Sequence, residues 1–190
     1  MKSIFMKTKV ISEIEGVVVR EFHSKSDFRG TFIKFNPGRL NLENLDSLAI
    51  SINPKKGTLR GMHFQTEPFS EEKIVTCIRG SIFDVIIDIR PDSKTFGEVG
   101  VLQLSAESAL QLYLPKGVAH GFQTLQDDSV VHYLLSSPFS PQHSFSINPL
   151  ESGSIPWPIE TTLIADKDSI GISLELATKI YADSLNSGLS

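Results

Sequence analysis

The feature that most constrains this chain is its punctuation. Short runs rich in β-branched and aromatic residues alternate with turn signals about every ten residues, the pattern of an antiparallel sandwich or barrel. The runs are Val17–Val19, Thr31–Phe35, Leu48–Ile52, Lys73–Ile78, Ile82–Ile89, Val99–Leu104, Ala109–Leu114 and Val130–Leu135. The strongest is Ile82–Ile89, bounded by Arg90-Pro91-Asp92; Leu48–Ile52 ends at the turn dipeptide Asn53-Pro54. Helical spacing is missing until the end. There Ile172, Leu176 and Ile180, with Ala177 and Tyr181, recur at three- and four-residue steps and predict one amphipathic helix of about three turns. Asp166, Asp168 and Ser169 are suited to cap a short turn before it.

A chain of 190 residues is expected to form one domain, spanning 1–190, large enough to bury a core without staples. Its 22 acids against 18 Lys+Arg give a net charge of -4, which disfavours nucleic acid as a partner. One cysteine, Cys77, excludes an internal disulfide and a cysteine-rich zinc site. No apolar run approaches the roughly 20 residues needed to span a bilayer, so no membrane partner is expected. Met1–Ile11 alternates lysine with apolar residues and lacks a signal-peptide core. These features together predict a cytoplasmic protein.

Two stretches concentrate chemistry. In Gly57-Thr58-Leu59-Arg60-Gly61-Met62-His63-Phe64-Gln65, Arg60 and His63 are three apart and would face opposite ways on a regular strand. They can serve one site only if Gly61 marks a bulge or bend. Otherwise His63 is a half-buried histidine bonded to a backbone carbonyl. In Leu114-Pro115-Lys116-Gly117-Val118-Ala119-His120-Gly121-Phe122, a tight turn delivers His120 into a strand. Its P-x-G-x-x-H pattern resembles the second signature of the cupin jelly roll; the plainer reading is a hairpin with an incidental histidine.

Many cupins hold a metal with a first signature, H-x-H. Here the equivalent is His63-Phe64-Gln65, and glutamine is a poor ligand for a transition metal. His63 and His120 alone fall short of the usual three protein ligands, so no metal is expected and a metal-dependent oxygenase is disfavoured. Histidines in a metal-free mouth suit acid/base work near neutral pH. Of the remaining candidates, Asp84 reads as a buried, hydrogen-bonded acid and Asp88 as the end of its strand near Arg90. Tyr133 reads as a core or rim residue, Lys73 as a solvated strand start and Cys77 as a small buried hydrophobe. His23, His132 and His143 stand in no motif.

Taken in order and spacing, these blocks resemble the dTDP-4-dehydrorhamnose 3,5-epimerase family. The likeness rests on Leu59–Gln65, Glu72–Val75, Gly80–Arg90, Ser93–Gly97 and Leu114–Phe122. It extends to Asp27–Gly30, Ile155–Pro158 and Asp166–Asp168. The resemblance implies a mainly β, cupin-type double-stranded β-helix (jelly roll) with a short C-terminal helix. It implies a homodimer, an isomerase without cofactor, and a nucleoside-diphospho-4-keto-6-deoxyhexose as substrate. C3 and C5 flank the C4 ketone, so enolate formation acidifies their protons. The resemblance makes His63 the base oriented by Asp168, Tyr133 the acid, and Lys73 the cation on the enolate oxygen. Arg29 and Arg60 would bind diphosphate or sugar, and His120 and Lys167 would complete the pocket.

The chain also departs from the family pattern at Lys34, Leu48-Ala49-Ile50, Tyr113, Phe139 and Ser144. All are expected to lie in the binding shell. They suggest a member restricted to C3 or C5, or one acting on another nucleotide sugar. A non-catalytic nucleotide-sugar binder, a 3,4-ketoisomerase and a metal-dependent cupin are the remaining alternatives. The first is disfavoured by the joint presence of His63, Asp168 and Tyr133, and the last by Gln65.

Overall fold

The computed structural model describes residues 13–34, 45–151 and 155–187. Met1–Ile11 and the last residue of Thr31–Phe35 lie outside them. In chain order the elements are β1 (Val18–Glu21), β2 (Ser24–Asp27), β3 (Gly30–Ile33), β4 (Ser47–Asn53), β5 (Thr58–Gln65), β6 (Lys73–Arg79) and β7 (Ser81–Asp88). There follow β8 (Val99–Ser105), β9 (Leu110–Leu114), β10 (Val118–Thr124), β11 (Ser129–Leu135), β12 (Ser144–Ser146), β13 (Leu163–Ile164), α1 (Asp166–Ser169) and α2 (Leu174–Ser187). Among the described residues no helix is long and apolar enough to cross a membrane.

Two sheets carry the fold. One has five strands in the order β1-β9-β6-β11-β4; the other has six, β12-β5-β10-β7-β8 with β13 alongside β5. Every pairing within them is antiparallel except that of β13 with β5. Val75, Cys77, Leu112, Leu114 and Val131 of the first sheet pack against Ile82, Ile86, Leu104, Val118 and Phe122 of the second. This is the expected jelly roll. Strands β2 and β3 form a separate hairpin.

Strand β7 explains the strongest run in the sequence, because it is buried on both faces. Ile82 and Ile86 point between the sheets. Val85, Ile87 and Ile89 point outward, beneath Ala177 and Tyr181 of α2. Each fully buried isoleucine stabilises the fold by about 1.5–3 kcal/mol. The strand's end is fixed by Asp88, whose carboxylate meets Arg90 at 2.7 Å and accepts hydrogen bonds from Ser93 and Thr95.

The C-terminal helix begins at Leu174, so Ile172 does not belong to it; Ile172 makes a parallel bridge with Ile147 instead. Nor does Asp168 cap a turn. The residue before α1 is Ala165, which gives no side-chain cap, and the Asp168 carboxylate points back into the sheet.

Candidate active site

A cavity of about 260 Å3 is lined by residues of both sheets. Strand β5 supplies Arg60 and His63, β10 supplies His120, β6 supplies Lys73, β11 supplies Tyr133 and α1 supplies Lys167. Six of the eight residues given catalytic or binding roles by the resemblance therefore share one cavity.

Arg60 and His63 meet there because β5 is bulged. Against β10, His63 pairs with His120 and Arg60 pairs with Phe122, so three steps on β5 match two on its neighbour. The bulge contains Gly61 at φ +113°, in the region that favours glycine. A Cβ there would lie 2.5 Å from Gly121 Cα, so glycine is required for the close approach of β10 as well.

Asp168 reaches His63 from 105 residues away. β13 runs parallel to the start of β5, and α1 follows immediately. Asp168 Oδ1 accepts from His63 Nε2 at 2.7 Å and from Ser146 Oγ at 2.9 Å; Oδ2 accepts from Gly61 N at 3.1 Å. Burial alone would raise the Asp168 pKa, but these hydrogen bonds outweigh it and hold the carboxyl below its ordinary value. An ionised carboxylate only accepts, so His63 carries its proton on Nε2 and keeps a lone pair on Nδ1. Burial pushes the His63 pKa below 6.5, while the Asp168 hydrogen bond opposes that shift. The result is a neutral, basic imidazole at neutral pH.

Tyr133 stands on the five-stranded sheet, across the cavity from His63. Burial first, and then the nearby Asp84 carboxylate, push its pKa up, so the phenol stays protonated. Asp84 is wholly buried and meets His120 Nε2 at 2.8 Å. Burial raises the Asp84 pKa, with His120 opposing. Lys73 is not a solvated strand start. Its side chain is largely buried, with Nζ 3.0 Å from Glu71 Oε1.

Other placements differ from the simplest sequence reading. Arg29 does not line the cavity of its own chain; it sits in the β2–β3 hairpin, bonded at 2.6 Å to Asp27. Of the departures, only Ala49, Phe139 and Ser144 line the cavity. Strand alternation turns Leu48 and Ile50 to the outer face, Tyr113 donates to Glu72, and Lys34 is exposed beyond the hairpin. Gln65 lines the wall, but its amide is occupied: Nε2 donates to the carbonyls of Phe69 and Pro138, and Oε1 accepts from Ser140 N.

The sequence reading missed Glu71 and Ser51, which also line the cavity. The Glu71-x-Lys73 spacing across a strand start was the available signal for the first. Ser51 had none beyond its place in the alternation of β4.

Comparison with known proteins agrees with this geometry. Residues 11–175 match the family described as dTDP-4-dehydrorhamnose 3,5-epimerase. The enzyme of that name from Sinorhizobium fredii is 34% identical over 181 residues, covering 92% of this chain and 91% of its own. Two solved structures superpose with a TM-score of 0.81 each. One is the dTDP-6-deoxy-D-glucose-3,5-epimerase of Legionella pneumophila in complex with dTDP-4-keto-L-rhamnose, 31% identical over 88% of this chain and 92% of that one. The other is a 3'-monoepimerase of Streptomyces bikiniensis in complex with dTDP-quinovose, 28% identical over 92% and 94%. The chain, a jelly roll with this cavity between its sheets, belongs to the dTDP-4-dehydrorhamnose 3,5-epimerase family of isomerases.

Proposed function

We propose that this protein epimerises a dTDP-linked 4-keto-6-deoxyhexose at the carbons that flank the ketone, C3 and C5. The observation that carries the reading is the placement of His63 and Tyr133 on opposite walls of one cavity, with His63 held by Asp168. His63 Nδ1 removes the proton on one face of the sugar. The electron pair moves onto O4, where Lys73 stabilises the enolate oxygen. Tyr133 then returns a proton to the opposite face, which inverts the carbon without a cofactor; His63 releases its proton to solvent and the Tyr133 phenolate takes one up. Arg60 binds the diphosphate, whose paired oxygens suit a guanidinium fork. His120 and Lys167 contact the sugar and phosphate.

The proposal includes a second copy of the chain. The β2–β3 hairpin stands apart from both sheets with Phe28 99% and Phe32 65% exposed, and the outer face of β4 exposes Leu48, Ile50 and Ile52. Apolar surface of this kind marks an interface. In a homodimer the hairpin carries Arg29 to the partner's cavity. The free, buried Cys77 fits a reducing compartment, and we place the enzyme in the cytoplasm.

A second reading is favoured by the small or apolar residues Ala49, Phe139 and Ser144 in the wall: inversion at one carbon only, or on another nucleotide sugar. Incubation with dTDP-4-keto-6-deoxyglucose in deuterated water, followed by NMR, separates the two. Deuterium at C3 and C5 supports the full reaction, and deuterium at one carbon the restricted one. No exchange with dTDP-, CDP-, GDP- or UDP-linked 4-keto sugars would leave only a binding protein.

A further inference from the structure

Arg60 does not stand alone in the cavity wall. Its Nε donates to Asn53 Oδ1 at 2.7 Å. Asn53 ends β4 in one sheet, whereas Arg60 lies on β5 in the other, so this bond ties the two sheets together beneath the cavity. Asn53 is 0% exposed, and its amide is fixed in orientation. Nδ2 donates to two carbonyls, Ser129 O at 3.1 Å and Ser51 O at 3.2 Å. Those two acceptors require the nitrogen on their side, so the oxygen must face Arg60. That oxygen also accepts from Ser51 Oγ at 3.2 Å.

The geometry points to Asn53 as a positioning residue: by holding Arg60 through Nε it presents the Nη edge of the guanidinium to the substrate's diphosphate. Its neutrality matters as much as its position. A carboxylate in the same place would bond the same nitrogen but cancel the charge that attracts the anion. A locked amide orients Arg60 and leaves its charge intact. In the sequence this residue reads only as the first half of a turn dipeptide. The inference rests on the proposed use of the cavity for a nucleotide sugar.

The test is calorimetric titration of dTDP into the wild-type protein, Asn53→Ser, Asn53→Asp, Arg60→Lys and the Asn53→Ser/Arg60→Lys double variant. KM and kcat are measured alongside, with thermal unfolding as the check on folding. Asn53→Ser is expected to weaken dTDP about tenfold, the size of one charge-assisted hydrogen bond, and to raise KM far more than it lowers kcat. In the Arg60→Lys background the same change should have almost no effect, because residues that act through one contact are not additive. Asn53→Asp should weaken dTDP as well and flatten the salt dependence of its binding, which a loss of packing would not do. If Asn53→Ser fails to fold, the near-isosteric Asn53→Asp carries the test. Undiminished dTDP affinity, or additive losses in the double variant, would overturn the inference alone. A wild-type protein that neither binds dTDP nor exchanges deuterium would overturn the proposed function and this inference with it.

Discussion

At the scale of the residue, His63 and Asp168 set the pH behaviour. In the proposed reaction the neutral imidazole is the working form of the base. Because burial lowers its pKa below 6.5, kcat/KM should hold its plateau below that pH before the acid limb begins. Asp168→Asn removes the carboxylate that pulls the His63 pKa back up, so the acid limb of the residual activity should move to still lower pH. The amide can also donate to Nε2 and drive the proton onto Nδ1, the wrong tautomer. A loss of about 10²–10⁴ in kcat is expected, read from pH profiles of the two proteins. Tyr133→Phe should behave differently. Without the acid, His63 returns the proton to the face it came from. Deuterium should therefore still enter the sugar with its configuration retained, while the yield of epimer collapses; proton coupling constants distinguish these outcomes. A phenylalanine variant that epimerises normally would remove Tyr133 from its role.

The same scale shows where sequence reasoning stops. His63 and His120 stand in recognisable motifs, but the partner of His63 is 105 residues distant, and only family likeness links the two before folding. Asn53 and Glu71 belong to no motif. What matters about them is which side chain each faces, a property of strand register across two sheets.

At the scale of the element, β5 is decisive. Gly61→Ala would combine a backbone conformation disfavoured for a side chain with a Cβ 2.5 Å from Gly121 Cα. Each effect costs about 1–3 kcal/mol, so a loss of several kcal/mol is expected in urea unfolding, along with the common orientation of Arg60 and His63. Wild-type stability in that variant would mean that the bulge tolerates a side chain. The pairing of β7 with β10 offers a second probe. His120→Ala leaves Asp84 buried without its hydrogen-bond partner, and about 1–3 kcal/mol of stability should disappear.

Legibility at this scale followed apolar patterning more than length: β9, with five residues, was readable as a run, whereas the longer β5 and β10, broken by glycine and histidine, were not. Strands β4, β6, β7, β8 and β11 have seven or eight residues, enough for a pattern to show, and their bounds fall within a residue or two of the apolar runs. β12 has three residues and β13 two, too few to carry any alternation. Yet β13 is the element that brings α1 beside β5. The need for a bulge at Gly61 was readable, because Arg60 and His63 cannot otherwise share a face. The true place of Asp168 was not, since an acid near a helix start is equally a cap.

At the scale of the whole molecule, the net charge of -4 conceals a cationic interior to the cavity, where Arg60, Lys73 and Lys167 gather. The outer face of β4 makes a separate demand, for cover. Ile50→Lys places a charge in the exposed aliphatic stripe without touching the cavity wall, so it should shift the proposed dimer to monomer in analytical ultracentrifugation. Activity should fall with it if Arg29 acts across the interface. An unchanged dimer would locate the contact elsewhere.

The distance between His63 and Asp168 along the chain has a consequence during synthesis. A ribosome makes the whole facing pair of sheets, His63 and Tyr133 included, before it reaches Asp168. Until then the imidazole has no fixed tautomer. In the proposed mechanism, any product of premature termination that keeps the barrel but ends before Asp168 would therefore lack the group that orients its base, and would turn substrate over far more slowly than the finished enzyme.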